Sequence, residues 1–310
     1  MPDKERRQWL RDQADLAALQ AQQTDAEVAS AGAGDKHTDL PAPVDPSAAT
    51  LVDPAVRRTA PRPPIPALNI ARVEPLLLTT MQITTLLGGY VQTRASAFFF
   101  RRDRRLYLVT SRHVLFDAET SHLPDAIEIG IHTAAGDLAR SAMVRLPLYA
   151  NGRGLWRQGE DPGGDIDVAV LEVSRDLLPP TAVLHAFGPE HLLSSLSAAE
   201  VGLPLLLVGF PLGFHDTLHH LPVARHAIIA SSFGLRFQGQ GCFLTDARAH
   251  RGSSGAPVVM RASAPGVALP WKLLGVHSSR FDMGSRDLAQ DESLGLNCAW
   301  YADILMTLTA

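Results

Sequence analysis

The sequence is poor in cysteine, in lysine and in long apolar runs. Its 310 residues contain two cysteines, Cys242 and Cys298, so one disulfide at most can form and a disulfide-built secreted scaffold is excluded. Lysine occurs at three positions and the net charge is −4, which offers no basic surface to nucleic acid or to an anionic membrane. No apolar run reaches the length of a membrane span, and the N-terminus lacks the apolar segment of a secretory signal. We therefore expect a cytoplasmic protein.

The composition changes along the chain and predicts three parts. Residues 1–30 are rich in Gln, Ala and charged residues and predict a helical segment. Residues 31–67 are rich in Pro and Ala, with too few large apolar groups to fold alone, and predict a disordered linker. Residues 68–310 are expected to form the compact domain. The N-terminal extension is either a solvated helix or a segment that binds a protein partner.

From about residue 78 the pattern is that of β-structure. Short apolar or alternating runs recur between turn residues, among them MQITTLL, SAFFF, RLYLVTS, AIEIGI, DVAVLEV, PLLLVGF and WKLLGVHS. Many short strands at this spacing predict a sandwich or barrel rather than alternating strands and helices. The final run YADILMTL predicts a short closing helix.

Three segments together indicate nucleophilic catalysis. A β run ends in Thr110-Ser111-Arg112-His113, an acidic pair precedes the strand DVAVLEV, and the glycine-flanked Ser254 lies between two β runs. A serine hydroxyl needs an imidazole to accept its proton during attack, and a carboxylate fixes the tautomer of that imidazole. The acid is Asp167 or Asp165, because residues two apart on an extended segment can point to the same side.

These segments resemble motifs of the trypsin-like serine peptidases. TSRHV resembles the T-A-x-H-[VC] motif, DVAVLEV resembles D-[IV]-A-[LV]-[LI], and TDARAHRGSSGAP is similar to the nucleophile segment of bacterial HtrA-type (Deg) peptidases. GFPLG and LGLNCAWYADIL resemble a turn and the closing strand and helix of that family. The resemblance covers residues 78–310 and implies an HtrA-like protease core that no PDZ domain follows. It also implies an all-β fold of two antiparallel six-stranded β-barrels with a short C-terminal helix.

The resemblance assigns a role to each matching residue. His113 would be the general base, Asp167 would orient it, and Ser254 would be the nucleophile. The backbone amides of Gly252, Ser253 and Ser254 would supply the oxyanion hole. Asp167 is preferred to its neighbour because the family's aspartate directly precedes the V-A-V-L run.

The sequence also departs from the family pattern. Ala95-Ser96-Ala97-Phe98 stands where Gly-Ser-Gly-Phe is usual, Ser253 replaces Asn or Asp, and Ala256 replaces Gly. No catalytic side chain is lost. Without an aspartate at 253, the zymogen switch of the digestive enzymes is not available.

Two further positions bear on specificity. Arg248, six residues before Ser254, and His277, in the strand LLGVHSS, correspond to positions that line the specificity pocket in this fold. If both face the pocket, they favour an acidic or amide side chain before the scissile bond. If Arg248 points to solvent and His277 is a structural residue, the two residues favour no such side chain.

Other residue groups are set aside. His215, His219, His220 and His226 could converge on zinc, but no cysteine or acidic run supports a metal site, and a polar loop is the preferred interpretation. Cys242 and Cys298 could be a redox pair or a nucleophile, but both lie in apolar β runs without an adjacent base, which is typical of buried structural thiols.

The sequence thus predicts a serine endopeptidase that cleaves polypeptides and needs no metal or cofactor. A partner or the substrate could activate it. The alternative is a catalytically silent or autoinhibited interaction module on a protease fold.

Overall fold

A computed structural model describes residue 71 and residues 73–262, 267–280 and 295–310, without the side chains of 279 and 280. The predicted helical segment 1–30, the linker 31–67 and the domain boundary at 68 lie outside these residues. None of the described helices is long and apolar enough to cross a membrane.

The described chain is mostly β. Its strands are β1 Thr80–Leu87, β2 Tyr90–Arg102, β3 Arg105–Thr110, β4 Ala126–His132, β5 Ser141–Pro147, β6 Tyr149–Ala150, β7 Arg153–Gly154, β8 Trp156–Asp161, β9 Gly164–Glu172, β10 Pro204–Gly209, β11 Val223–Ile229, β12 Cys242–Ala247, β13 Pro257–Arg261, β14 Trp271–Arg280 and β15 Leu296–Tyr301. The α-helices are α1 Arg112–Leu115 and α2 Ile304–Leu308. Short 3-10 turns occur at Pro75–Leu78, Arg175–Leu177, Pro189–His191, Leu196–Ala198, Pro211–Gly213 and Phe237–Gly239.

The strands form two large antiparallel sheets. Strands β10 to β15 close into a six-stranded barrel in the order β10-β11-β12-β15-β14-β13. The first sheet has the order β5-β4-β1-β2-β3-β9-β8. The predicted six-stranded barrel is therefore confirmed for the second half, whereas the first half is a sheet of seven strands for which no closing pair of strands occurs among the described residues. The seventh strand is β8, a mostly exposed edge strand.

The two sheets are joined by a shared apolar core. Phe98 and Phe100 of β2 belong to a cluster that also contains residues of the second barrel, such as Val259 and Val276. Phe99, between them, points the other way into a cluster formed by the first sheet alone. Because side chains alternate along a strand, β2 is buried on both faces and carries three consecutive phenylalanines.

The C-terminal helix crosses from the second barrel to the first sheet. The hydroxyl of Tyr107 donates to the carbonyl of Thr309 at 3.2 Å, and Arg157 donates to the carbonyl of Leu308 at 3.2 Å. The guanidinium of Arg102 donates to the carbonyl of Met306. The predicted C-terminal helix is thus confirmed. Because it follows the second barrel along the chain and is hydrogen-bonded to the first sheet, we call Ile304–Leu308 the strap.

Candidate active site

His113 and Asp167 are brought together by neighbouring strands. His113 lies in α1, directly after β3, and Asp167 lies on β9, which pairs with β3. The two side chains are joined by a hydrogen bond of 2.7 Å between Nδ1 and Oδ2. The backbone N–H of His113 also donates to Oδ1 of Asp167 at 2.8 Å. A carboxylate held at both oxygens orients the imidazole and favours the tautomer with its proton on Nδ1, which leaves the lone pair on Nε2.

Asp165, the rival acid, lies apart from this pair. Its side chain is 58% exposed, and its carboxylate is 3.9 Å from a guanidinium nitrogen of Arg112. Among the described residues it makes no contact with His113 that would orient the ring. Of the two candidates, only Asp167 has the geometry that the chemistry requires.

Ser254 lies in the turn between β12 and β13. In this turn Gly252 and Gly255 have φ values of 90° and 82°, a region of backbone conformation that favours glycine. The Ser253 amide donates to the carbonyl of His250 at 3.0 Å. The amides of Gly252 and Ser254 have no partner among the described residues, so two of the three predicted oxyanion donors are free to bind a ligand.

Close packing explains why the turn needs both glycines. A Cβ on Gly252 would lie 2.5 Å from the carbonyl oxygen of Phe210. A Cβ on Gly255 would lie 2.2 Å from the carbonyl oxygen of Ser96 and 2.2 Å from the hydroxyl of Thr110. These are contacts with the backbone or with a short buried side chain, which cannot move aside. The turn is therefore closely packed against β2, β3 and the loop that follows β10.

Ser278 is a site residue that the sequence analysis missed. Its hydroxyl donates to Oδ2 of Asp167, the same oxygen that binds His113. Its backbone carbonyl accepts a hydrogen bond from the hydroxyl of Ser254 at 3.0 Å. Ser278 thus contacts Asp167 through its side chain and Ser254 through its backbone carbonyl.

One comparison with known proteins identifies the family of this chain. The trypsin-like peptidase domain family matches residues 95–264, which is more than half of the chain. The chain belongs to this family. No curated protein sequence was found to match it.

Several solved structures resemble this trypsin-like peptidase at low identity. They include the HtrA-type protease AlgW with a tripeptide (18% identity, TM-score 0.46, covering 77% of this chain and 60% of that one). A serine endoprotease from Yersinia pestis is 14% identical (TM-score 0.45, covering 75% and 62%). An inactive form of Rv3671c from M. tuberculosis is 16% identical (TM-score 0.42, covering 77% and 87%). The chain spans about three fifths of the length of the first two proteins.

The two residues predicted to line the specificity pocket of the trypsin-like peptidase differ in environment. His277 on β14 is 3% exposed, and its Nδ1 has no partner among the described residues. Burial and the neighbouring His113 lower the pKa of His277 to about 4, although Asp167 opposes this. His277 is therefore neutral at neutral pH. Arg248 is exposed and forms no hydrogen bond or ion pair within the described part of the chain.

The histidines of the loop after β10 are held by local contacts. Nδ1 of His219 is 2.7 Å from a carboxylate oxygen of Asp216, and Nδ1 of His215 is 2.6 Å from the carbonyl of Gly213. His226 is exposed on β11. In the described ranges no group of three or more His, Cys, Asp or Glu side chains has an arrangement that could hold a metal ion.

The two cysteines are free thiols in the core, as predicted. Cys242 is 0% exposed and Cys298 is 7% exposed. A hydrogen bond between their sulfurs raises the pKa of Cys298, and burial adds to this effect. Because both thiols are buried, neither is accessible to act as a nucleophile.

Proposed function

We propose that this protein is a serine endopeptidase that hydrolyses peptide bonds through a covalent acyl-enzyme. The observation that carries the proposal is the double attachment of His113 to Asp167, at 2.7 and 2.8 Å. A carboxylate in this position holds the imidazole in the orientation and tautomer that a general base needs. The turn that carries Ser254 supports the proposal, because it supplies a hydroxyl that is linked to Asp167 through Ser278 and two amides without a partner among the described residues.

Each group then has a defined role in the reaction. Nε2 of His113 takes the proton of the Ser254 hydroxyl while Oγ attacks the peptide carbonyl. The amides of Gly252 and Ser254 stabilise the negative oxygen of the tetrahedral intermediate. His113 passes the proton to the leaving amine, the C–N bond breaks, and an ester to Ser254 remains. Water, deprotonated by His113, attacks that ester; the bond to Oγ breaks, His113 returns the proton to Oγ of Ser254, and the carboxylic acid leaves, while Asp167 stabilises the imidazolium at each stage.

The resting hydroxyl of Ser254 supports activation by substrate or by a partner. It donates to the carbonyl of Ser278 at 3.0 Å and, within the described residues, has no hydrogen bond to His113. The hydroxyl must therefore rotate before its proton can be transferred. Binding of a peptide at the Ser278 carbonyl displaces the hydroxyl and favours that rotation.

The substrate class we propose is a polypeptide, with an acidic or amide side chain before the scissile bond as the finer hypothesis. Because His277 is neutral, it would contribute hydrogen bonds there and Arg248 the charge. A peptide-library cleavage profile tests this preference. A profile dominated by Arg or by large apolar residues at that position would refute it. We further propose that the seven-stranded sheet is the counterpart of the family's first barrel, and that the N-terminal extension binds a partner.

Labelling by a fluorophosphonate probe tests the enzymatic function. We expect the wild type to be labelled and the Ser254→Ala variant to be unlabelled, with loss of casein cleavage. The Ser253→Ala variant is a matched control because it removes the adjacent buried hydroxyl and leaves Ser254 in place. A wild type that stays unlabelled, alone and with a peptide substrate added, would refute the enzyme and favour the silent interaction module. Labelling that appears only with added peptide would favour the triggered form.

A further inference from the structure

Ser96 is a buried hydroxyl residue at the junction of three segments. It lies on β2 and is 0% exposed. Its hydroxyl donates to the carbonyl of Gly252 at 2.7 Å and accepts from the amide of Phe210 at 3.0 Å. Its own amide donates to the carbonyl of Ser254 at 2.9 Å. One side chain therefore joins β2, the loop after β10 and the turn that carries the nucleophile.

The same loop also fixes the peptide that bears the first oxyanion donor. The amide of Leu212 donates to the carbonyl of Arg251 at 2.6 Å. In a trans peptide the carbonyl and the following N–H point in opposite directions. With the Arg251 carbonyl held by the loop, the N–H of Gly252 points away from the loop.

We propose that Ser96 is a positioning residue for catalysis, and that its hydroxyl, through the Gly252 carbonyl and the loop after β10, sets the orientation of the Gly252 oxyanion donor. This inference rests on the proposed peptidase function. The Ser96 hydroxyl holds the Gly252 carbonyl on one side of the turn and the Phe210 amide on the other. The hydroxyl thereby connects the loop after β10, which orients the Gly252 amide, to the turn that contains Gly252. Ser96 does not touch the substrate; it acts through Gly252.

The turn depends on this external bond because its own backbone is permissive. Gly252, at φ 90°, has no Cβ to restrict its own dihedral angles, so its conformation depends on its hydrogen-bond partners and neighbours. Without the Ser96 hydroxyl, the Gly252 carbonyl and the Phe210 amide lose their buried partner, and the turn can relax to satisfy them in other ways. A displaced donor stabilises the ground-state complex nearly as before but no longer meets the oxyanion at the best distance. The loss should therefore appear in kcat rather than in KM.

The test compares Ser96→Ala with Thr85→Val in the full chain. Thr85 is a matched control because it is also 0% exposed, lies on the adjacent β1, and has a hydroxyl hydrogen-bonded to Thr93, away from the turn. We expect Ser96→Ala to lower kcat about 10- to 100-fold. This loss of kcat is no larger than the one expected when an oxyanion donor is removed altogether. KM and the pH midpoint of kcat/KM should stay as in the wild type. A peptide boronate, which mimics the tetrahedral intermediate, should bind more weakly by a similar factor.

The outcomes separate this inference from the function on which it rests. A wild type that is never labelled refutes the peptidase and the role of Ser96 with it. A labelled wild type whose Ser96→Ala variant loses no more kcat than Thr85→Val refutes only the role of Ser96. A rise in KM with unchanged kcat also refutes it. If Ser96→Ala does not fold, Ser96→Cys provides a slightly larger side chain with a weak donor, and its kcat should lie below that of the wild type; an unchanged kcat would refute the role of Ser96.

Discussion

The hydroxyl of Ser254 donates a hydrogen bond to the backbone carbonyl of Ser278 at 3.0 Å. The side chain of the same Ser278 donates to Asp167. The serine and the acid are thus both bonded to a single residue of β14, whereas the imidazole is bonded, among the residues that the structure describes, to the acid alone. A change at Ser278 would therefore affect the acid and the serine together.

Replacing Asp167 by Asn should lower kcat by about 10⁴-fold, because an amide in this position favours the wrong imidazole tautomer. Steady-state cleavage of a peptide substrate measures the loss. Asp165→Asn is the matched control: it makes the same chemical change two residues away, at a carboxylate that faces Arg112. It should keep nearly full activity. If Asp165→Asn were the more damaging change, the assignment of the orienting acid would be wrong.

Replacing Ser278 by Ala removes a hydrogen bond to the Asp167 carboxylate while leaving the backbone carbonyl in place. A hydrogen bond to a charged group contributes about 1.5 kcal/mol or more, so kcat should fall about tenfold. Ser231→Ala serves as the control, since that hydroxyl accepts from the Leu244 amide in the same barrel. Equal kcat values for the two variants would argue against a role of Ser278 in holding Asp167.

Gly255→Ala should destabilise the fold strongly. Its Cβ would meet the Ser96 carbonyl and the Thr110 hydroxyl at 2.2 Å, and its φ of 82° is unfavourable for any other residue. The loss of unfolding free energy should be on the order of 3 kcal/mol or more. Gly136→Ala is the control, because its Cβ would have no atom within 4 Å and its φ is not positive. Denaturant unfolding of both variants checks this, and a similar small effect in the two would contradict the packing described.

His277 should make the fold less stable in acid. Its pKa is about 4 in the folded state, against about 6.5 for an ordinary histidine. As the pH falls from about 6.5 to about 4, the unfolded chain takes up a proton that the folded protein refuses, so stability is lost across that window. This group alone accounts for a loss on the order of 3 kcal/mol.

The His277→Leu variant provides the comparison for that pH effect. It lacks the titrating group, so its unfolding free energy should fall less between pH 6.5 and pH 4 than that of the wild type. Urea unfolding at several pH values measures the difference between the two curves. Parallel curves would mean that His277 takes up its proton equally in the folded and unfolded states.

The sequence predicted those parts of the site that carry a motif. His113 follows the apolar strand β3, and Asp167 directly precedes the apolar run of β9. The pairing of β3 with β9, which brings the two residues together, follows from the fold. Ser278 could not be found in this way because a serine within the strand WKLLGVHSSR has no distinguishing spacing. Its contact with Asp167 depends on which face of β14 it occupies. Ser96 was noticed only as part of a departure from the family pattern.

Two of the strands that the sequence did not predict, β5 and β8, lie at the two edges of the first sheet. β5 and β8 have many exposed residues, and β8 reads WRQGED, with little alternation of apolar and polar side chains. An edge strand needs apolar residues only where it touches the core, so its pattern is weak. The central strands, which are buried, gave clear signals.

The strap formed by the C-terminal helix has a consequence for dividing the protein. The chain runs from the first sheet to the second barrel through residues 173–203, so a cut there would yield one fragment with His113 and Asp167 and another with Ser254 and the strap. Each fragment would expose its part of the shared core, and neither would hold a complete set of reacting groups. Hydrolysis would then report reunion of the two fragments, which would make this fold a candidate for a split reporter of protein association.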